Sequence, residues 1–196
     1  MKGSAFPGTR AVRPRLPEAF FLALRRRGVR PSRWLLTVSV ARQRVGLFEV
    51  IGVATLSRRP VAVFTREFLA STSRHGVGQV RDSNRTPLGL HRIAVKAGGG
   101  WPPGVVLVNR KPIGFTWQGR PAAAIAHRVL WLEGLEPGLN RGGNVDTYDR
   151  FIYIHGVGDE TTLGRPCSRG CVHLAAADLI LWYDRLPCGT LVWIEA

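Results

Sequence analysis

The sequence is poor in cysteine and in acidic residues, and it has no long apolar run. Three cysteines in 196 residues are too few for a disulfide framework, and an odd number leaves at least one thiol unpaired. The longest apolar stretches, such as residues 34–41 and 105–108, fall far short of the roughly 20 residues that a membrane-spanning helix needs. These shortages exclude a disulfide-rich scaffold and predict no transmembrane segment.

Only 13 acidic residues stand against 28 lysines and arginines, which gives a formal net charge of +15. The charge is concentrated at the N-terminus, where residues 1–33 hold nine basic residues and one acid, Glu18. Such a segment attracts nucleic acid, an acidic membrane face or an anionic wall polymer through electrostatic attraction that does not depend on the sequence of the partner. A solubilising, poorly ordered tail is the alternative, because prolines interrupt the segment.

We expect one folded domain over residues 34–196, preceded by a basic, poorly ordered arm over residues 1–33. A chain of this length can bury a hydrophobic core, and a hydrophobic content of 45% indicates a folded protein. No clear signal peptide is predicted, because the basic run before Trp34 begins far from Met1 and the apolar stretch after it alternates as a strand does.

Short apolar runs between turn residues predict a mainly β domain of the sandwich type with one or two short helices. Residues 35–40 and 45–51 are predicted to form a β-hairpin. Further strands are predicted over residues 60–64, 68–72, 90–96, 105–108, 151–155 and 190–194. Alanines and apolar residues at helical spacing predict a helix over residues 175–186, which Pro187 ends. Residues 121–132 fit either a helix or a strand.

The stretch from Arg150 to Leu174 contains the candidate catalytic residues. His155 ends an apolar run, and Cys171 follows 16 residues later, after a Ser-x-Gly turn. A histidine beside a thiol can remove its proton and stabilise the thiolate. Gly170 lets the backbone approach closely, so we expect the amides of Gly170 and Cys171 to face an oxyanion. The pattern predicts acyl transfer by a cysteine nucleophile, with His155 as the base.

Other interpretations of these side chains stay open. Most free cysteines are small, buried, apolar residues of the core, and Cys171 could be one of these. His173 is a rival base, since it shares a face with Cys171 in an extended segment, although a separate strand gives His155 firmer support. Four candidate zinc ligands occur here: Cys167, Cys171, His155 and His173. Their spacing fits no usual zinc pattern, so we expect no bound metal, and we expect Cys167 to pair with Cys171 on oxidation.

The motifs resemble those of a known family. His-Gly at 155–156 and Ser-Arg-Gly-Cys-Val at 168–172 resemble the active-site signature of L,D-transpeptidase (YkuD-like) catalytic domains, usually His-Gly followed by Ser-His-Gly-Cys-(Ile/Val)-Arg. The resemblance continues in Thr-Pro-x-Gly at 86–89 and in the run 130–150, so it covers about residues 34–196. It implies acyl transfer on peptidoglycan stem peptides, for cell-wall cross-linking or remodelling.

By that resemblance, the Cys171 thiolate attacks the third residue of a tetrapeptide stem, expels the terminal D-alanine and leaves a thioester. An amine from another stem then takes the acyl group. His155 acts as base and later as acid, oriented by the carbonyl of Gly156, and the amides of Gly170 and Cys171 hold the oxyanion. The resemblance implies that this reaction requires no cofactor or metal. Two alternatives remain: hydrolysis of the same substrates, or a non-catalytic basic module that binds the wall or nucleic acid.

Two positions depart from the family pattern. Arg169 stands where histidine is commonest, and His173 stands where arginine is usual. A neutral imidazole holds a carboxylate less well than a guanidinium fork, which puts the substrate preference in question. The candidate substrate-binding residues are Ser168, Arg169, His173 and Arg165.

The expected partners follow from the resemblance and from the charge. Peptidoglycan stem peptides are the expected substrate, no nucleic acid is expected, and residues 1–33 are a candidate contact with an anionic envelope surface. Peptidoglycan chemistry implies the periplasm or cell envelope as the location, although no clear signal peptide is visible.

Overall fold

Ten β-strands and two α-helices form the described part of the chain, residues 14–52 and 60–196 of a computed structural model. Their bounds are α1 Glu18–Arg27, β1 Trp34–Ser39, β2 Arg44–Val50, β3 Ala62–Ser71, β4 Gly89–Ala97, β5 Val105–Val108, β6 Lys111–Phe115, β7 Ala126–Gly134, β8 Tyr153–Gly156, β9 Val172–Leu174, α2 Ala176–Tyr183 and β10 Leu191–Glu195. The prediction of a mainly β domain with one or two short helices is therefore confirmed.

Eight of the strands close into a barrel-like sheet. Their order is β4-β10-β1-β2-β3-β9-β8-β7, and β7 pairs back onto β4. The pairs β1–β10 and β8–β9 are parallel, and the other pairs of the ring are antiparallel. The sheet thus differs from the predicted sandwich of two separate sheets, because β4 bonds to a neighbour on each side and closes the ring. Strands β5 and β6 form a hairpin that joins β7 outside the ring.

Alternating side chains of β1 and β10 fill two apolar clusters. Leu36 and Val38 of β1 belong to the main core cluster. Leu35 of β1, with Leu191 and Trp193 of β10, belongs to a second cluster that includes residues of α1. Because successive side chains of a strand point to opposite faces, these strands are covered on both sides. Their sequences are accordingly apolar at nearly every position.

Helix α1 occupies part of the segment predicted to be a poorly ordered arm. Phe20, Ala23 and Leu24 are buried in the second cluster, against β1 and β10. The expectation of disorder does not hold for residues 14–33, because the apolar face of α1 covers apolar side chains that the barrel leaves on its outer surface. Residues 1–13 of the predicted arm lie outside the described residues.

The ambiguous stretch 121–132 ends in strand β7, which begins at Ala126. Strand pairing overrides helix propensity there, since β7 is bonded to β4 on one side and to β8 on the other. The ladder with β8 is interrupted between Ala126 and Val129, where His127 has a φ of 69°. The bulge marks the point at which the β5–β6 hairpin leaves the ring.

Candidate active site

The parallel pair of β8 and β9 brings the predicted nucleophile and base together. His155 lies opposite His173 in the register, and the centroids of the two rings are 4.7 Å apart. Cys171 directly precedes β9, and the backbone N–H of Tyr153 donates to its Sγ at 3.4 Å. The side chains of His155, Cys171 and His173 line one cavity of about 410 Å³. Residues that are far apart in the sequence therefore face one space.

The Cys171 thiol is neutral at rest. Burial raises its pKa to about 11, while the N–H of Tyr153 and the charge of Arg150 act in the opposite direction. Sγ donates to the carbonyl of Phe151 at 3.5 Å. Phe151 has a φ of 55°, a left-handed conformation that is strained for a bulky residue and that clusters at functional sites. A thiol in this state needs a base before it can act as a nucleophile.

His155 is buried and has one ring nitrogen fixed by the backbone. Its Nδ1 donates to the carbonyl of Gly156 at 2.9 Å. This hydrogen bond selects the tautomer in which Nε2 keeps its lone pair. Burial lowers the pKa of His155 to about 4, against the opposing effect of the Gly156 carbonyl. The imidazole is therefore neutral at pH 7 and can accept a proton at Nε2.

The turn before Cys171 is held by two hydroxyl groups. Ser168 Oγ donates to the carbonyl of Cys171 at 2.6 Å, and Thr86 Oγ1 donates to the carbonyl of Gly170 at 3.1 Å. Gly170 has a φ of 117°, and a Cβ there would lie 3.1 Å from Ile152 Cδ1. Glycine is required for both reasons. The Ser168 hydroxyl, predicted to bind substrate, instead stabilises the turn that presents Cys171.

The predicted oxyanion role of the Gly170 amide does not fit this geometry. The N–H of Gly170 already donates to Ser168 Oγ at 3.2 Å. A donor engaged within its own turn offers little to a developing oxyanion, which needs hydrogen bonds aimed at the position it will occupy. Gly156, the other residue predicted to act through its backbone, accepts a hydrogen bond from His155 through its carbonyl. This contact orients the imidazole and provides no donor to the substrate.

Arg150 fixes the loop that borders this turn, a role that motif reasoning did not assign to it. Its guanidinium donates to the carbonyls of Gly78 at 3.2 Å, Gln79 at 2.8 Å and Arg85 at 2.6 Å. The carbonyl of Arg85 in turn lies next to Gly170. The signals in the sequence are the position of Arg150 directly before the apolar run that ends at the histidine and its place at the end of the run 130–150 that resembles the family.

The remaining predicted substrate-binding residues divide into two groups. Arg169 and His173 line the 410 Å³ cavity, and Arg169 also lines a neighbouring cavity of about 350 Å³. His173 Nδ1 is buried without a hydrogen-bond partner in the described chain, and burial together with the neighbouring His155 lowers the pKa of His173 to about 3. Arg165 is exposed and is absent from the cavity lining, so its predicted role there is not supported.

A second cavity of about 300 Å³ also contains Cys171 in its lining. The β5–β6 turn contributes Asn109 and Arg110, whose φ values of 49° and 65° are typical of a two-residue hairpin turn. The Arg110 guanidinium donates to the hydroxyl of Tyr153 at 3.1 Å and lies 4.3 Å from the ring of Trp131. Cys171 is thus reached from two cavities.

All three cysteines have free thiols. Cys167 lines the same cavity as Cys171, and Cys188 is exposed. Across residues 14–52 and 60–196, no three side chains of His, Cys, Asp or Glu are grouped as metal ligands are. The pairing of Cys167 with Cys171 on oxidation stays a prediction.

The family model described as the YkuD L,D-transpeptidase catalytic domain matches residues 34–194. The chain belongs to this family. The match begins at the first residue of β1 and includes His155 and Cys171, so the resemblance predicted from the motifs is confirmed. The comparison with curated proteins found no match for this L,D-transpeptidase-family chain.

Solved structures from several bacteria are similar to this chain. Bd1075 of Bdellovibrio bacteriovorus superposes with a TM-score of 0.50 at 16% identity, over 84% of this chain and 48% of that chain. An L,D-transpeptidase from Mycobacterium smegmatis gives 0.44 at 15%, over 84% and 59%, and the helical cell shape determining protein Pgp2 of Campylobacter jejuni gives 0.45 at 13%, over 84% and 47%. This family member therefore spans about half the length of those chains.

Proposed function

We propose that this L,D-transpeptidase-family protein is a cysteine acyltransferase that acts on peptidoglycan stem peptides. Cys171 is the nucleophile and His155 is the general base. The observation that carries the proposal is a neutral imidazole on β8 and a neutral thiol on the residue that precedes the paired strand β9. Both side chains line one cavity, and Nε2 of the imidazole is left as an acceptor. Membership of the family supports the substrate class.

The first half-reaction forms a thioester. His155 Nε2 takes the proton of Cys171 Sγ as the sulfur attacks the carbonyl carbon of the third stem residue, a diamino acid. The tetrahedral intermediate carries its negative charge on oxygen, and the amide of Cys171 is its proposed donor, since the Gly170 amide is engaged by Ser168. The protonated His155 then gives its proton to the leaving nitrogen of D-alanine, and the C–N bond breaks.

The second half-reaction restores the thiol. An amine of another stem attacks the thioester carbonyl, and His155 takes the proton of that amine. The C–S bond breaks, and the proton returns from His155 to Cys171 Sγ. Two substrates must reach one sulfur in turn, and the presence of Cys171 in the linings of two cavities supports transfer to an amine over hydrolysis by water.

Release of D-alanine from a tetrapeptide stem fragment tests the proposal directly. We expect turnover by the wild type and none by Cys171→Ala, whereas the exposed thiol variant Cys188→Ala keeps wild-type turnover. A carbapenem should add its mass to the wild type and to Cys188→Ala but not to Cys171→Ala. Equal release by wild type and Cys171→Ala would overturn the nucleophile assignment, and no release by any form would favour a non-catalytic wall-binding module.

Addition of an acceptor amine separates transfer from hydrolysis. With a second stem peptide present, a transpeptidase yields a cross-linked dimer in proportion to the D-alanine released. A carboxypeptidase yields only the tripeptide acid, because water takes the acyl group. Product ratios from mass spectrometry at increasing acceptor concentration decide between the two reactions.

The proposed substrate also sets the proposed location. Peptidoglycan chemistry places the protein in the periplasm or cell envelope, and fractionation of cells tests this. In the described ranges, neither helix has the length and apolar character to cross a bilayer. Residues 25–27 of α1 are exposed arginines, which supports the proposal that the N-terminal segment is attracted to an anionic envelope surface.

A further inference from the structure

Large apolar side chains are exposed together where the β5–β6 hairpin joins the barrel. Trp117 is 65% exposed and Trp101 is 45% exposed. Their rings flank Phe115, at centroid distances of 4.6 Å and 6.5 Å respectively. Val108 and Ile113 of the same hairpin are also exposed. A contiguous exposed apolar patch on a soluble domain marks an interaction site.

The rings of this patch have a fixed geometry. Trp117 and Phe115 are stacked with an angle of 12° between their planes. Phe115 is partly buried and packs on the apolar cluster that includes Trp131 and Tyr153, which anchors the stack to the barrel. A Cβ at Gly104 would overlap the indole of Trp117, so glycine allows the indole to lie close to the backbone there. The stack leaves the outer indole face available to a ligand.

We infer that Trp101, Phe115 and Trp117, the aromatic platform, bind the glycan strand of the peptidoglycan on which the proposed function acts. The face of an aromatic ring carries partial negative charge, and the C–H groups on the face of a pyranose carry partial positive charge. A flat, rigid indole face therefore matches a sugar ring in shape and in electrostatics. The inference rests on the proposed function, because it names the second part of the same substrate.

The charge around the platform suits a substrate that bears carboxylates. Residues 101–125 contain no Asp or Glu, and they contain Arg110, Lys111 and Arg120. Arg120 lies over Gly114 of the hairpin, where a Cβ would come 2.9 Å from its guanidinium. Peptide stems with carboxylates are attached to the glycan, so a cation beside the platform favours the complete substrate over a neutral sugar polymer.

Two cavities lie between Arg120, the cation beside the platform, and Cys171. A cavity of about 570 Å³ is lined by Arg120 and by residues 121–125. Residues 122–125 also line the cavity that contains Cys171, and they follow Trp117 closely in the chain. A glycan on the platform is thus positioned to direct its peptide branch along residues 121–125 toward the thiol. This continuity favours the glycan as the occupant over an unrelated protein.

A comparison of two substrates tests the inference. One substrate is the free tetrapeptide, and the other is the same tetrapeptide attached to an oligosaccharide of the wall glycan. For Trp117→Ala, we expect kcat/KM for D-alanine release from the glycan-linked substrate to fall by about fivefold to tenfold, with kcat/KM on the free tetrapeptide within about twofold of wild type. Trp117→Phe retains an aromatic face and should recover part of the loss.

A matched control comes from an exposed apolar residue elsewhere. Leu181 of α2 is 46% exposed and is absent from the linings of the four cavities described above, so Leu181→Ala should leave both activities unchanged. The inference is overturned if Trp117→Ala lowers both activities equally, which would indicate a disturbed active site. It is also overturned if Trp117→Ala lowers neither.

A binding experiment keeps the inference separate from the proposed function. In Cys171→Ala protein, titration with the N-acetylglucosamine tetramer should shift the indole N–H signals of Trp101 and Trp117, assigned by their loss in the corresponding alanine variants. Such shifts support the glycan site even if the wild type releases no D-alanine. No shift from the tetramer, or a response to a single-stranded oligonucleotide alone, would overturn the glycan assignment even if D-alanine release is observed.

Discussion

Cys171 and His155 face one cavity as an uncharged pair, with pKa values of about 11 and about 4. In the proposed mechanism, the proton therefore passes to His155 during the attack rather than before it, which is general base catalysis. His173 is also neutral and close, but its buried Nδ1 has no hydrogen-bond partner among the described residues. The motif predicted the residue types, whereas only the hydrogen bonds distinguish the two histidines.

Replacement of each histidine should separate their roles. We expect His155→Ala to lower the rate of acylation by a carbapenem by about 100-fold or more, because the base is lost. His173→Ala should lower it by less than about tenfold, since no hydrogen bond fixes this ring for proton transfer. Time courses of adduct mass measure both rates. A larger loss in His173→Ala would reverse the assignment.

Arg150 provides a test of how charge acts on the thiol. Its positive charge lowers the pKa of Cys171 against the effect of burial, so Arg150→Met should raise that pKa and move thiol alkylation by iodoacetamide to higher pH. Arg150→Lys keeps the charge but loses the guanidinium contacts with Gly78, Gln79 and Arg85. A smaller shift is expected for lysine. Equal shifts would point to the loop contacts instead of the charge.

At the scale of single elements, the sequence of helix α1 contains the usual signals for the start and end of a helix. The prolines and basic residues around it led to a prediction of disorder. Pro17 precedes the helix, Glu18 lies in its first turn, residues 25–27 are basic in its last turn, and Gly28 at a φ of 63° ends it. Prolines and clustered positive charge are typical of disordered segments, so they favoured that prediction over a helix. The apolar face of the helix gains stability from contact with side chains of β1, β4 and β10, which a local pattern does not contain.

Truncation of the buried ring of α1 should destabilise the whole domain. Phe20 is 1% exposed, so Phe20→Ala should lower the free energy of unfolding by about 3 kcal/mol, through lost burial and the cavity left behind. Leu22 on the same helix is 40% exposed, and Leu22→Ala should change the free energy of unfolding by less than about 0.5 kcal/mol. Urea unfolding measures both. A similar effect of both substitutions would mean that α1 does not dock as described.

At the scale of the whole molecule, the barrel buries uncharged histidines. His91 is 0% exposed, with Nδ1 2.9 Å from the carbonyl of Gly89 and Nε2 3.1 Å from Thr147 Oγ1. Burial lowers the pKa of His91 to about 4 from its ordinary 6.5, with the charge of Arg150 acting in the same direction and the Gly89 carbonyl opposing it. Stability is thereby linked to pH.

The direction of this linkage follows from proton binding. Between pH 6.5 and about 4, the unfolded chain binds a proton at His91 that the folded protein does not, so the free energy of unfolding falls as the pH falls. His91 alone should contribute a loss of about 3 kcal/mol across that window. Urea unfolding from neutral pH down to about pH 4 measures this loss. His91→Gln should make the decrease in the free energy of unfolding smaller. Constant stability across the window would contradict the buried neutral state.

The sequence by itself determined the family and most of the strands, and it supplied the candidate nucleophile and base. The His-Gly and Ser-x-Gly-Cys motifs, their spacing and the period-two runs are local, so they predicted the family, the nucleophile and base candidates and the mainly β class. The tertiary structure decided what depends on pairing between distant segments. The barrel closes because β4 meets both β10 and β7, and α1 docks because β1 and β10 leave apolar side chains on the outer surface. The Gly170 amide is engaged because the folded turn brings Ser168 Oγ to it.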